Sequence, residues 1–274
     1  MPPEPVPESP PSPPTLPPAW TSPTAMADIS LANPWSPESI AANEDEVAAF
    51  YGRRRSQDYA LSMRKDIGRH HADLWCLLKL LPHREPALPI LDVACGSGDM
   101  LAWLADRGTA APLHGRDLSE HMLEHARARL RSSPASLAHG SMLALGCPNA
   151  TCAAVICTFA LHHVDASGAH QTVHEVARVL ARGGVAYFAV WEGEGVIEHR
   201  GSDLVGSLWP AEQIHKWLHC ARLLIATERE EIDPQASPFC AGAALSSADT
   251  DMDRRGRGRT RPHTRSRVRR PTRT

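Results

Sequence analysis

The stretch Leu91-Asp92-Val93-Ala94-Cys95-Gly96-Ser97-Gly98 constrains the chain more than any other. It joins a short apolar run, Pro89–Val93, to a helical stripe of Met100, Leu101, Leu104 and Ala105 that Gly108 closes. A strand turning through glycines into a helix opens a βα unit. Glycines at such a turn let the backbone approach a ligand while the helix N–H groups point outward. Nineteen residues after Gly98 stands Asp117, at the end of a second predicted strand, Leu113–Arg116. A carboxylate there can accept both hydroxyls of an adenosine ribose.

The alternation continues downstream. Ser119 is the predicted N-cap of a helix with Met122, Leu123, Ala126 and Leu130 inward. Ser136–His139 reads as a short strand, and Ala153–Phe159 (AAVICTF) as a strand covered on both faces. Val173, Val176, Ala177 and Leu180 form a helical stripe that Gly183-Gly184 stops, and Val185–Trp191 (VAYFAVW) is another buried strand. Trp209–Ala221 reads as a helix and Leu223–Thr227 as a sixth strand, with no element signalled after Ile232. Repeated β-then-α units predict an α/β fold: a doubly wound, Rossmann-like, mostly parallel sheet with helices on both faces and disordered termini.

The ends differ from this middle. Of the 24 prolines, 13 lie before Ile40, so residues 1–40 read as a Pro-rich disordered leader. Residues 43–81 turn helical, with Ile67, Leu74, Leu77, Leu78 and Leu81 near one face before Pro82, Pro86 and Pro89. Residues 252–274 hold 10 Arg and one acid, so 233–274 read as a disordered, Arg-rich tail. The remainder carries 19 Lys+Arg against 30 Asp+Glu, an acidic body that argues against a generally basic nucleic-acid binder. The predicted domain therefore spans 43–232, with 43–81 as amino-terminal lid helices.

No run of 18 apolar residues suggests a membrane span. Residues 1–52 lack Lys and Arg, which argues against a secretory or mitochondrial leader, and the seven cysteines form no CxxC pair. The expectation is a cytoplasmic protein with free thiols, no structural metal site and no membrane partner. The string Gly96-Ser97-Gly98-Asp99-Met100-Leu101 lacks the third glycine of a dinucleotide fingerprint, and Asp99 would repel a pyrophosphate.

Four motifs in order carry a resemblance: LDVACGSG, GRDLSEHML ending at Asp117–Leu123, TFALHHV at Thr158–Val164 and EVARVLARGG at Glu175–Gly184. Together they resemble class I S-adenosylmethionine-dependent methyltransferases, and more narrowly the type 11 methyltransferase domains. The likeness covers about residues 45–230. It implies S-adenosyl-L-methionine as cofactor and a methyltransferase activity. It implies that Asp92, Ala94, Cys95, Gly96, Ser97 and Gly98 hold the methionine part. Asp117 would bind the ribose hydroxyls, with Leu118 and Met122 packing on adenine. Ser141 and Met142 would flank the ring, Thr158 would face the sulfonium, and Tyr51 and Tyr59 would close the site from the lid.

The chain also departs from the family. Ala94 stands at the first loop glycine, and Ser141 stands where an Asp usually bonds the adenine amino group. Ala153 and Ala154 replace an acid that usually opens the fourth strand, and no seventh strand is evident. His162 and His163 follow the fourth strand, where an acceptor would sit, and are the candidate catalytic residues, needed only if the nucleophile must lose a proton. A small-molecule acceptor is the leading expectation. An RNA methyltransferase of tRNA type, with the Arg-rich tail on RNA, and a non-catalytic binding protein on the same fold are the alternatives.

Overall fold

A computed structural model of the chain describes residues 37–53, 55–57, 59, 68–79, 81, 87–198, 204–232 and 238–246. Two helices, α1 (Pro37–Phe50) and α2 (Gly68–Leu78), precede the sheet. Then β1 (Ile90–Val93), α3 (Asp99–Asp106), β2 (Leu113–Asp117), α4 (Glu120–Arg129) and β3 (Ser136–His139) alternate. They are followed by β4 (Cys152–Thr158), α5 (Ala166–Val179) and β5 (Leu180–Trp191). A small hairpin, β6 (Val196–Glu198) and β7 (Val205–Ser207), leads to α6 (Ala211–Cys220), β8 (Leu223–Ile232) and β9 (Pro238–Ser246).

The main sheet has the order β3-β2-β1-β4-β5-β9-β8. The first five strands are parallel, and β9 runs antiparallel between β5 and β8. Strand order reverses between β1 and β4, and ligands in such sheets sit at the carboxyl ends beside that switch point. Period-2 alternation sorts the core into two layers. Leu91, Val93, Val155, Cys157, Ala186 and Phe188 face Val173 and Val176 of α5 and Trp217 of α6. Ile90, Ala154, Ile156, Val185 and Tyr187 face Leu74 of α2, Leu101 of α3 and Leu123 of α4. The strands are thus covered on both sides, as their continuous apolar runs require.

Four expectations are corrected. β9 (PFCAGAALS) lies in the stretch read as tail, so the sheet does have its seventh strand and extends past Ile232. Its Ala- and Gly-rich sequence has little intrinsic strand preference. Two antiparallel ladders supply what the composition does not, pairing Trp191 with Phe239 and Ile232 with Pro238. At the other end α1 begins at Pro37, inside the predicted leader; proline suits a first helical turn, where its missing N–H costs nothing. Gly183-Gly184 do not end α5: the helix stops at Val179, and Leu180 already pairs with Cys152 as β5 begins. β8 runs to Ile232 rather than Thr227. The expectations for residues 1–36 and 247–274, including the Arg-rich run, lie outside the described residues. Among the described residues no helix is long and apolar enough to cross a membrane.

Candidate active site

The carboxyl ends of β1, β2 and β4 open into one cleft. It encloses about 670 Å³ of empty space, its open mouth included. Its lining brings together Ala94 and Gly96 from the turn after β1, Asp117 and Leu118 after β2, Met122 of α4, and Gly140 and Met142 after β3. Thr158, Phe159, Ala160, His163 and Val164 close the β4 side, and Glu44, Val47, Tyr51 and Tyr59 cover the top.

The turn after β1 is shaped by three left-handed residues, Ala94 (φ 54°), Gly96 (φ 54°) and Gly98 (φ 74°). Ala94 holds a conformation that costs an L-residue about 1–2 kcal/mol, at the position where the resembling family carries glycine. The turn is tied to β2 by Cys95 N–H donating to Arg116 O at 2.9 Å and Gly96 N–H donating to Asp117 Oδ2 at 2.7 Å. Asp117 Oδ1 accepts from Ser119 N–H at 2.8 Å. Ser119 caps α4 by accepting from Met122 N–H and donates to Tyr51 O at 2.8 Å, which fastens the residue after α1 to the β2 end.

Successive turn residues point in different directions, so the motif divides. Gly96 faces the cleft; an added Cβ would meet only Tyr59, at 3.7 Å. Cys95 points away, beneath Gly115, where an added Cβ would lie 2.9 Å from its sulfur. Ser97 Oγ donates to Asp99 Oδ2 at 2.5 Å, and Asp99 pairs with Arg129. Gly98 lies against α4, where a Cβ would come within 3.0 Å of Ala126 Cβ. Cys95, Ser97 and Gly98 therefore build the turn without lining the cleft. Asp92 sits below the lining on β1, 1 % exposed, with Oδ1 buried and lacking a hydrogen-bond partner among the described residues.

Burial governs the electrostatics. It raises the Asp92 carboxyl well above its usual range, and the nearby Asp117 charge adds to the rise. Burial also raises Asp117, against the stabilising N–H donors of Ser119 and Gly96. The Tyr51 and Tyr59 phenols are pushed up by burial first and by Asp117 among the neighbouring charges, so both stay protonated. Cys157 is pushed up to about 12 by burial and Asp92, which keeps it a neutral core thiol.

The two histidines separate. His163 lines the cleft, with Tyr51 Oη and His163 Nε2 sharing a hydrogen bond of 2.9 Å. His162 turns toward β7, where an added Cβ on Gly206 would lie 2.9 Å from its Cδ2, and does not line the cleft. Ser141 also stands behind the lining, donating to Glu44 and accepting from Leu143 N–H at 2.9 Å. Glu44, Val47, Gly140, Phe159, Ala160 and Val164 line the cleft without having been singled out. Glu44, Val47 and Tyr51 recur at i, i+3 and i+7, a one-face signal readable in the sequence. Phe159 (φ 51°) stands in the left-handed region, which nothing in its sequence context announces. Among the described residues no group of His, Cys, Asp and Glu could hold a metal ion.

A parallel sheet of order 3-2-1-4-5, extended by an antiparallel strand and carrying this cleft at its carboxyl ends, is the fold of the class I methyltransferases. Residues 90–184 match the family model described as "Methyltransferase domain", in keeping with the resemblance that the four sequence motifs carry. A demethylmenaquinone methyltransferase of Symbiobacterium thermophilum is 38% identical over 109 residues, 37% of this chain and 42% of that protein. A dTDP-3-amino-3,6-dideoxy-alpha-D-glucopyranose N,N-dimethyltransferase of Streptomyces fradiae is 44% identical over 78 residues, 28% of each chain. The chain thus spans less than half the length of the curated relatives it matches. The magnesium protoporphyrin IX methyltransferase of Synechocystis PCC 6803, solved with bound SAM, shares the fold at TM-score 0.58 and 17% identity, over 75% of this chain and 97% of that one.

Proposed function

We propose that the chain transfers a methyl group from S-adenosylmethionine to a small-molecule acceptor. The observation that carries this reading is the cleft in which the Gly96 turn and Asp117 meet, joined by the 2.7 Å bond between them. The residues present fit the cofactor. A carboxylate offers about four lone-pair sites, and the two backbone donors on Asp117 leave it acceptor capacity for a ribose diol. The buried Asp92 Oδ1, without a hydrogen-bond partner among the described residues, offers a counter-charge to an ammonium group once that carboxyl releases its proton. Leu118, Met122 and Met142 give the cleft apolar walls for a flat base.

When bound, the cofactor supplies a methyl group already activated on a sulfonium. The chain's task is then to align the acceptor and exclude water. The lid residues Tyr51 and Tyr59 cover the cleft, and Thr158, Phe159 and His163 form the wall an acceptor would meet. His163 Nε2 is the proton acceptor for a nucleophile that must lose its proton, once its bond to Tyr51 opens. An acceptor of small size is supported by the partly covered cleft and by the small molecules for which the curated relatives are named.

Calorimetric titration with S-adenosylmethionine and S-adenosylhomocysteine tests the reading, with NAD as control. We expect micromolar binding of both cofactor forms and none of NAD. Asp117→Asn weakens binding at least about 10-fold, since a hydrogen bond to a charged group contributes about 1.5–3 kcal/mol. A folded protein that binds neither form refutes the proposal.

A further inference from the structure

We propose that Glu44, reaching over from the lid helix α1, reads the edge of the cofactor's base, and that Ser141 holds it in place. The assignment rests on the cofactor reading above. With the ribose on Asp117, the base lies in the adjoining part of the cleft. Leu118, Met122 and Met142 line the cleft and suit the apolar faces of a flat ring. Glu44 is the one carboxylate besides Asp117 among the described lining residues. Ser141 stands 97 positions away in the chain yet donates its hydroxyl proton to Glu44 Oε1, while its own oxygen accepts from Leu143 N–H at 2.9 Å. The serine is thereby fixed as a donor toward Glu44. It occupies one of about four lone-pair sites on that carboxylate.

An acceptor-only group at that position selects a base that presents a donor. Adenine presents its exocyclic amino group; a base with a carbonyl oxygen there would face the carboxylate acceptor to acceptor. The position where the resembling family carries an aspartate is thus served here by two residues. The carboxylate comes from α1 and its support from the loop after β3.

The test compares S-adenosylhomocysteine with S-inosylhomocysteine, which carries a carbonyl oxygen in place of the amino group. Titrations use the full chain and its Glu44→Gln variant. The wild type should prefer the adenine form by at least about 10-fold, about 1.4 kcal/mol. Glutamine is nearly isosteric, forms helices comparably well, and can both donate and accept. Glu44→Gln should therefore lose about 10-fold in affinity for the adenine form and bring the two ligands close to parity. Adding Ser141→Asp in that background returns a carboxylate to the same place and should restore the preference. An unchanged preference in Glu44→Gln overturns the assignment, as does a wild type that binds both forms equally. A wild type that binds neither form overturns the cofactor reading and this assignment with it.

Discussion

The fold resists ionising Asp92, and that resistance has a measurable pH signature. The carboxyl is 1 % exposed and its Oδ1 has no hydrogen-bond partner among the described residues. Burial, then the charge of Asp117, holds its pKa well above the ordinary 3.8. The native chain therefore keeps a proton that the unfolded chain has already released. Stability from this source is complete below the unfolded pKa and is lost as pH rises through the folded one. One proton of difference gives a slope of about −1.4 kcal/mol per pH unit across that window. Asp92→Asn preserves shape and does not titrate, so it removes this slope and leaves that of Asp117, whose pKa is also raised by burial. Urea unfolding followed by circular dichroism at several pH values, from about 4 to about 8, measures the difference. The variant's stability should fall less steeply, and its advantage should grow toward high pH. Parallel curves for the two proteins would refute the reasoning. A cationic ligand group beside Asp92 should reverse the penalty. Cofactor binding should then release a proton, seen as a dependence of the binding heat on the buffer's ionisation enthalpy.

Two further predictions concern the turn and the acceptor wall. Gly98→Ala meets both a left-handed φ of 74° and a 3.0 Å approach to Ala126 Cβ. Backbone strain of about 1–2 kcal/mol and overpacking of about 1–3 kcal/mol should add, whereas Gly96→Ala, with its nearest neighbour at 3.7 Å, should show the backbone part alone. Equal losses in urea unfolding would show that the α4 contact contributes nothing. For an acceptor that must lose a proton, His163→Asn should lower kcat about 10²–10⁴-fold with little change in cofactor affinity. Tyr51→Phe, which removes only the hydroxyl bonded to His163 at 2.9 Å, should retain kcat. Single-turnover methyl transfer checks both, and an unimpaired His163→Asn variant would remove the histidine from the mechanism.

The parallel half of the sheet was legible because both of its faces are buried. β1, β4 and β5 are written as nearly continuous apolar runs, and α3, α4 and α5 carry apolar stripes that cover them. β9 was not legible because its strand state belongs to its neighbours: an Ala- and Gly-rich segment becomes a strand between β5 and β8. The same division runs through the site. Gly96 and Asp117 stand at strand ends, where spacing along the chain maps directly onto distance in space, and they meet at 2.7 Å. Membership of the motif did not settle roles within it, since a tight turn aims each residue differently: Gly96 to the cleft, Cys95 to the core and Gly98 to α4. Glu44 depends on a contact between a lid helix and a loop beyond β3, and no local pattern encodes such a pairing. What the βα motif specifies is where a ribose can be held. Under the proposed function, side chains that reach the cleft from α1 and the loop after β4 select the base on that ribose and the acceptor beyond it. Those surfaces pack across large sequence separations, as Tyr51 does on His163. Substitutions that alter specificity should therefore fall in α1 and the 158–164 turn rather than in the glycine motif.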